Sequence, residues 1–191
     1  TTLKVRVSDP ANSAALSTGA GNAEIRGALD VTAPDGGESW DVGSTYSITW
    51  TKKGDWAVAG YTVKLLYSSD AGLTFPTTLA TGLAAATGSY SWTIADTIPT
   101  STTAKVRAEG DSPYAIVVND SNATFTVKGQ LVLTQPDAAG IKLYVGDAYL
   151  IKWTKFGNVA NVNLLYSTDN GSNYTTQING AAVPAADGVA G

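Results

Sequence analysis

Apolar and polar residues alternate with a period of two over many short stretches of the chain, as in β-strands that bury one face. In residues 46–51 (Y-S-I-T-W-T), large apolar side chains alternate with hydroxyl-bearing ones. The same alternation is found in residues 61–67, 90–94, 105–107 and 125–127. No segment of ten or more residues has the spacing of an amphipathic helix. The pattern predicts an all-β chain of antiparallel strands separated by turns rich in Gly, Asp, Asn and Pro.

The number of predicted strands indicates how they pack. About seven short strands for each hundred residues is typical of two packed sheets, as in Ig-like sandwiches. The inward-facing positions would form the core, which we predict to contain Trp50, Trp92, Tyr67, Ile48 and Leu65.

The chain also repeats itself at a domain-sized spacing of about 100 residues. Residues 42–51 (V-G-S-T-Y-S-I-T-W-T) recur as 145–154 (V-G-D-A-Y-L-I-K-W-T), and 63–68 recur as 162–167. Near the start, Lys4-Val5-Arg6 matches Lys105-Val106-Arg107, and Asn22-Ala23 matches Asn122-Ala123. We interpret residues 1–28 as the C-terminal strands of a partial Ig-like repeat, 29–129 as a complete Ig-like β-sandwich, and 130–191 as the N-terminal part of a further repeat, without a counterpart of residues 90–94.

The links at Gly27 and Gly129 are short and are not Ser/Gly-rich tethers, which predicts a stiff end-to-end array. Partial repeats would leave unpaired strand edges that invite pairing with another chain. One interpretation is that the sequence is a piece of a longer array. The other is head-to-tail complementation, in which strands around Val5 and Ile25 of one copy complete the repeat that contains Trp153 in the next.

A longer motif points to a family. It comprises P-x-G-G-E-x-W-x-V-G-x-x-Y-x-I-x-W at 34–50, L-x-Y-S-x-D-x-G at 65–72, G-x-Y-x-W at 88–92 and N-D-S-N-A-T-F at 119–125. It resembles the Ig-like domain of Ser/Thr-rich, cell-wall-anchored fungal glucan-assembly proteins, which has relatives in bacterial and archaeal surface proteins. The resemblance implies an extracellular or cell-surface β-sandwich, used as a spacer or adhesion module and not as an enzyme.

A second resemblance is shorter. Residues 68–75 (S-S-D-A-G-L-T-F) resemble the Asp-box S-x-D-x-G-x-T-aromatic of sialidases and other β-proteins, and 167–174 (S-T-D-N-G-S-N-Y) is a looser copy. The Asp side chain can accept turn N–H groups while Gly supplies a positive φ. We therefore interpret both copies as structural turns and assign them no catalytic role.

The amino-acid composition limits the kinds of chemistry that the chain can perform. The chain contains no Cys, His or Met, which excludes disulfides, thiolate or imidazole metal sites, and His- or Cys-based catalysis. Its net charge of −4 argues against nucleic-acid binding, and it has no apolar stretch long enough to insert into a membrane. The glutamates Glu24, Glu38 and Glu109 form no evident catalytic pair. We expect no enzyme activity, no catalytic residue and no cofactor.

Two groups of residues are weak candidates for binding sites. Calcium could be held by oxygens in residues 169–173, or by Asp111, Asn119 and Asp120, but solvated turns are the favoured interpretation and we predict no metal site. Trp56 lies in a stretch longer than its counterpart in the next repeat, and could be an exposed platform for a sugar ring. Packing of Trp56 against the sandwich is the favoured alternative.

Sequons for N-glycosylation occur at Asn119, Asn122, Asn170 and Asn173, and would be used only in a host that glycosylates. Taken together, the sequence predicts an extracellular structural protein, a stalk or fibre of tandem Ig-like domains. Its partners would be other copies of itself or neighbouring repeats. The alternative is a carbohydrate-binding or adhesion module of a larger surface protein, with cell-surface glycans as partners.

Overall fold

The computed structural model describes residues 2–24, 26–54, 56, 61–111, 117–185 and 188–190. Over these residues it is built of strands, with one 3₁₀ turn at Ala85–Thr87, and it contains no helix that could span a membrane. The strands are β1 (Thr2–Leu3), β2 (Arg6–Ser8), β3 (Leu16–Thr18), β4 (Ala23–Glu24), β5 (Ala28–Ala33), β6 (Ser39–Asp41), β7 (Thr45–Lys53), β8 (Thr62–Ser68), β9 (Thr77–Ala84), β10 (Ser89–Thr93), β11 (Ser101–Gly110), β12 (Val118–Asp120), β13 (Phe125–Lys128), β14 (Gln130–Gln135), β15 (Ile151–Phe156), β16 (Asn161–Val162), β17 (Leu165–Tyr166), β18 (Thr176–Gln177), β19 (Val183–Pro184) and β20 (Gly188–Ala190).

Residues 28–128, which we call the central sandwich, fold as two facing sheets. One sheet has the strand order β10-β7-β5. The other has the order β6-β13-β11-β8-β9, and β12 also pairs with β11. All of these pairs are antiparallel except β6 with β13, which is parallel. The prediction of an all-β, Ig-like sandwich is confirmed for this segment.

The core between the two sheets is rich in aromatic rings. Trp40 stacks on Tyr46 with 4.8 Å between the ring centroids, and lies 5.0 Å from the ring of Phe125. Trp92 lies 6.0 Å from Trp40 and 5.7 Å from Tyr67, so that the rings form one cluster. The five residues predicted to form the core are all buried, namely Ile48, Trp50, Leu65, Tyr67 and Trp92.

Residues 130–190, which we call the C-terminal unit, reproduce the strand pairing of the central sandwich. Leu133 lies opposite Trp153 as Val31 lies opposite Trp50, and in both pairs the register shifts directly after these residues. A small separate core is formed by Trp153, Val162 and Ala185. The first two paired strands of this unit therefore match those of the central sandwich, including the register shift.

The last described strand occupies a position for which the sequence match gives no counterpart. The sequence match ends before residues 90–94, but β20 pairs with β15 as β10 pairs with β7. Ala190 lies opposite Ile151, and Tyr90 lies opposite Ile48. The backbone pairing therefore continues into the position of Tyr90, although the residue types differ and give no signal in the sequence.

Residues 2–24, which we call the N-terminal segment, form two short antiparallel pairs. Leu3 lies opposite Ala23 in β1 and β4, as Ala104 lies opposite Phe125 in β11 and β13. When Leu3 is aligned with Ala104, as the match of residues 4–6 with 105–107 requires, this pairing aligns Ala23 with Phe125 and not with Ala123. In that alignment the large side chain lies on a different strand of each pair, since Leu faces Ala in one pair and Ala faces Phe in the other.

Candidate functional site

The junction between the central sandwich and the C-terminal unit is closely packed. A Cβ added to Gly157 would lie 3.0 Å from Cγ2 of Val42, and one added to Gly43 would lie 2.8 Å from Cδ1 of Phe156. The Gly157 N–H donates a 2.6 Å hydrogen bond to Oδ1 of Asp96. Phe156 is partly buried against the core of the central sandwich. The two units are thus held by apolar contact and by a charge-assisted hydrogen bond.

Two glycines allow two backbone segments to approach each other closely inside this junction. A Cβ on Gly157 would lie 3.3 Å from Cα of Gly129, and one on Gly129 would lie 3.0 Å from the carbonyl oxygen of Phe156 and 2.5 Å from Cγ2 of Val159. Gly157 has φ +75°, a conformation that other residues rarely adopt. Gly157 therefore needs glycine both for backbone conformation and for space, and Gly129 needs it for space.

The same arrangement is found at the start of the central sandwich. A Cβ on Gly54 would lie 3.2 Å from Cα of Gly27, and one on Gly27 would lie 3.1 Å from the carbonyl oxygen of Lys53. Trp56 packs on Gly27 as Val159 packs on Gly129, since a Cβ on Gly27 would lie 2.8 Å from Nε1 of Trp56. Both links thus have one local geometry, built from two glycines that approach each other.

Trp56 is a packing residue in this structure. It is only 6% exposed, belongs to the core, and donates from Nε1 to the carbonyl oxygen of Lys53 at 3.0 Å. Its ring lies edge-on to Tyr61 with 6.4 Å between centroids. The loop folds the indole against the Gly27 backbone, so that Trp56 is packed against the sandwich and is not the exposed sugar platform that was the other interpretation.

The turn at residues 68–75 is held by the side chains of its motif. The Ser68 hydroxyl donates to Oδ1 of Asp70 at 2.6 Å and accepts the N–H of Gly72 at 2.9 Å. Asp70 also accepts the N–H and the hydroxyl of Thr74, at 2.9 and 2.6 Å. Ala71 and Gly72 have positive φ angles of 62° and 86°. The polar side chains of Ser68, Asp70 and Thr74 are all hydrogen-bonded inside the turn, which supports a structural role.

The turn at residues 167–174 has the same bonds, although its sequence is a looser match. Ser167 donates to Oδ1 of Asp169 at 2.5 Å and accepts the N–H of Gly171 at 2.9 Å. Asn173 replaces Thr74, and its N–H and side-chain amide donate to Asp169 at 2.9 and 2.6 Å. The Asp–Asn bond reproduces the Asp–Thr bond because both side chains offer a donor at the same place.

Comparison with known proteins assigns the central sandwich to a family. Residues 33–130 match the model of the Kre9/KNH-like N-terminal Ig-like domain. The chain belongs to this family. No curated protein and no solved structure matches it. The Kre9/KNH-like match begins within β5 and ends at the first residue of β14, so that it spans the central sandwich almost completely. The resemblance to the fungal glucan-assembly Ig-like family is thereby confirmed.

The Kre9/KNH-like fold uses several sequon residues for its own hydrogen bonds. Oδ1 of Asn119 accepts the N–H of Val31 at 2.7 Å, and Asn122 donates from its backbone and side chain to Asp35 at 2.9 and 3.2 Å. Asn173 is bound to Asp169, as described above. Asn170 is exposed in its turn, with φ 58°. Glycosylation of these asparagines stays a prediction.

Asp111 and Asp120, two of the residues considered for calcium, each bind another group. Oδ2 of Asp111 accepts the Thr62 hydroxyl and the Gly82 N–H, at 2.7 and 3.0 Å. Asp120 forms a two-point ion pair with Arg107, at 2.6 and 3.0 Å. Over the described part of the chain, no three acidic side chains come together as metal ligands. Structural bonding therefore accounts for Asp111 and Asp120.

Sequence reasoning missed most of the junction. It identified the short links at Gly27 and Gly129, but not the contacts of Gly43, Asp96 or Phe156. Those contacts join residues that are far apart in the chain, so no local pattern marks them. The available signal was the occurrence of Gly54 and Gly157 at the same place in two similar segments, residues 42–54 and 145–157.

The two turns give a testable prediction about pH. The pKa of Asp70 is lowered from 3.8 to about 2 by the hydrogen bond from the Ser68 side chain, and then by those from Thr74. The pKa of Asp169 is lowered to about 2 by the bonds from Ser167 and then from Asn173. A lowered folded-state pKa means that the turns contribute fully above about pH 4 and lose their contribution as the pH falls through about 2.

The measurement is a carboxyl-carbon NMR titration of both aspartates in the folded chain. We expect both midpoints close to pH 2, and a smaller loss of stability between pH 4 and 2 in Asp70→Ala than in the unaltered chain. Midpoints near the ordinary value of 3.8 would show that the hydrogen bonds do not hold the carboxylates in solution.

Proposed function

We propose that this chain is a non-enzymatic, extracellular structural protein in which Ig-like units of about 100 residues stack end to end as a stalk or fibre. Membership of the Kre9/KNH-like Ig-like family supports a secreted or cell-surface setting. Its partners are neighbouring units or other copies of itself, joined head to tail. The central sandwich is one complete unit, and the N-terminal segment and the C-terminal unit are parts of two others.

The shared strand registers support the repeat. β14 and β15 pair as β5 and β7 do, with the same irregularity after Leu133 and after Val31. In the second sheet, Tyr166 lies opposite Thr176 as Tyr67 lies opposite Thr77. Backbone pairing depends little on the exposed side chains, and for this reason equal registers support a repeat even where the residue types differ.

The observation that carries the proposal is the junction. Short flexible linkers would let successive units rotate independently, whereas Gly157 and Phe156 are packed against Val42, Gly43 and Asp96. The Gly27–Gly54 pair repeats the close approach of two glycine backbones at the other end of the central sandwich, where Trp56 of the sandwich itself packs on it. A junction of the Gly157 type between all successive units would give an array with a constant step, which is what a stalk or fibre requires.

The carbohydrate-binding alternative no longer has a candidate binding residue. It depended on Trp56 as an exposed platform, and that ring is buried against Gly27. Over the described residues, the observations favour packing between units more than binding of a ligand.

The proposal is tested by small-angle X-ray scattering of the dilute chain. Units of roughly 35 Å follow from strands of about ten residues. An end-to-end arrangement is expected to give a radius of gyration above about 20 Å, against about 16 Å for a compact globule of 191 residues. The compact value would contradict the stacking of units.

A further inference from the structure

The C-terminal unit exposes apolar side chains at positions that are buried in the central sandwich. Leu133 is 52% exposed and Tyr166 is 46% exposed, whereas their counterparts Val31 and Tyr67 are each 1% exposed. We call the set Leu131, Leu133, Leu143, Leu165 and Tyr166 the open face, although Leu165 and Tyr166 are consecutive in β17 and point to opposite sides of that strand. Trp153 lies in the same unit, and its buried Nε1 has no hydrogen-bond partner among the described residues. The unit therefore shows an apolar surface that its own described strands leave uncovered.

The central sandwich shows what covers this surface. There β11 pairs with β8, so that Val106 lies opposite Tyr67 and Arg107 lies opposite Leu66. β13 adds Phe125 and Val127 to the same core, and both are 1% exposed. The missing partner of the open face is thus a strand with the chemistry of β11, carried together with its neighbours β12 and β13.

The N-terminal segment is built like those three strands. Arg6 lies opposite Thr18 in β2 and β3, as Arg107 lies opposite Asp120 in β11 and β12. The backbone hydrogen bond beside each pair is also the same. The Gly19 N–H donates to the Val5 carbonyl oxygen, and the Ser121 N–H donates to the Val106 carbonyl oxygen. The valines that would enter a core, Val5 and Val7, are 62% and 72% exposed.

We propose that the open face binds the N-terminal segment of a second copy of this chain, in the register that β11 uses against β8. Val5 of one copy lies opposite Tyr166 of the other, and Arg6 lies opposite Leu165. This deepens the proposed function, on which it rests, by naming the partner and the register of assembly. Both surfaces are apolar and exposed, so pairing removes both from water.

One further contact follows from the same register. In the central sandwich the Arg107 guanidinium lies 4.0 Å above the centre of the Phe75 ring. Arg6 corresponds to Arg107, and Tyr174 in the turn at residues 167–174 corresponds to Phe75 in the turn at residues 68–75. Tyr174 is exposed in the structure and is free to receive the guanidinium as a cation–π partner.

Engineered cysteines test the register directly, because the chain has no Cys of its own. Ser8 and Asn163 are exposed and correspond to Glu109 and Lys64, which lie opposite each other in β11 and β8. Opposed strand residues have Cβ atoms about 4.5–5.5 Å apart, which a disulfide can reach with small movements. The variant Ser8→Cys/Asn163→Cys is expected to form covalent dimers and higher oligomers under mild oxidation, with residues 8 and 163 linked between chains.

The matched control is Lys4→Cys/Asn163→Cys, which places the two thiols four residues out of register. We expect its yield of covalent oligomer to be at least tenfold lower. Equal yields from the two variants, a link within one chain, or no link would overturn the proposal. A failed link in a chain whose scattering is still extended would leave the stacked array intact, and so separates this inference from the proposed function.

A second variant keeps the test independent of disulfide geometry. Val5→Arg places a charge on a side chain that is already exposed, so the free chain is expected to fold normally. Sedimentation equilibrium is expected to show self-association of the unaltered chain and at least a tenfold weaker association of Val5→Arg. Leu73→Arg, at an 85% exposed position outside the proposed contact, is expected to associate normally. A monomeric unaltered chain at high concentration would mean that other residues cover the open face, and would overturn the proposal.

Discussion

Replacing Phe125 with Ala is expected to destabilise the central sandwich by about 3–5 kcal/mol, which is a large part of the stability of a typical domain. Phe125 is 1% exposed, and its ring contacts Trp40 and lies 6.5 Å from that of Tyr67. Because these aromatic neighbours also pack against Tyr46 and Trp92 of the other sheet, they cannot collapse freely into the cavity that the substitution leaves. Urea unfolding followed by tryptophan fluorescence measures the effect.

Leu73→Ala is the control for Phe125→Ala, since Leu73 is 85% exposed and its loss is expected to change stability by no more than about 0.5 kcal/mol. The N-terminal segment suggests a rescue. There Leu3 faces Ala23, so Ala104→Leu in the Phe125→Ala background is expected to recover part of the loss. A loss below about 1 kcal/mol for Phe125→Ala would contradict the aromatic core as described.

The second large effect is expected at the junction, from Gly157→Ala. The added Cβ would lie 3.0 Å from Val42 Cγ2 and 3.3 Å from the Gly129 backbone, while φ is +75°. Gly140 is the matched control, because its φ of +79° is similar and no atom lies within 4 Å of its added Cβ. Gly140→Ala is expected to cost about 1–2 kcal/mol from backbone strain alone.

Gly157→Ala adds a packing conflict to that strain and is expected to cost about 1–3 kcal/mol more than the control. It should also loosen the contact between the two units, because relief of the conflict requires Val42 and Gly129 to move apart from Gly157. Denaturation followed through amide NMR signals of the C-terminal unit measures the first effect. Equal costs in the two variants would mean that the junction is not packed in solution.

The sequence predicted the parts of the fold that have a local cause. Alternation in residues 46–51 predicted β7 and its buried face, because every second side chain of a strand points the same way. β9 was not predicted, since residues 77–84 (T-T-L-A-T-G-L-A) have no clear alternation and are only partly buried. β8 was predicted, but Leu66 and Ser68 are buried on the face that alternation marks as polar.

The site was less predictable than the fold, because its contacts join distant parts of the chain. Nothing local connects Asp96 with Gly157, or Gly43 with Phe156, until the sandwich has formed. The placement of Trp56 stayed open between two interpretations for a related reason: a longer loop with an aromatic residue is compatible with an exposed ring and with a ring folded onto Gly27. Only the close approach of the Gly27 and Gly54 backbones decides between them.

The central claim is that successive Ig-like units are held in one fixed orientation by the junction. N–H residual dipolar couplings, measured on the unaltered chain in a weakly aligning medium, test it most directly. The account predicts that couplings from the strands of the central sandwich and from β14 and β15 fit one alignment tensor. Two separate tensors, or couplings averaged towards zero in the C-terminal unit alone, would contradict it.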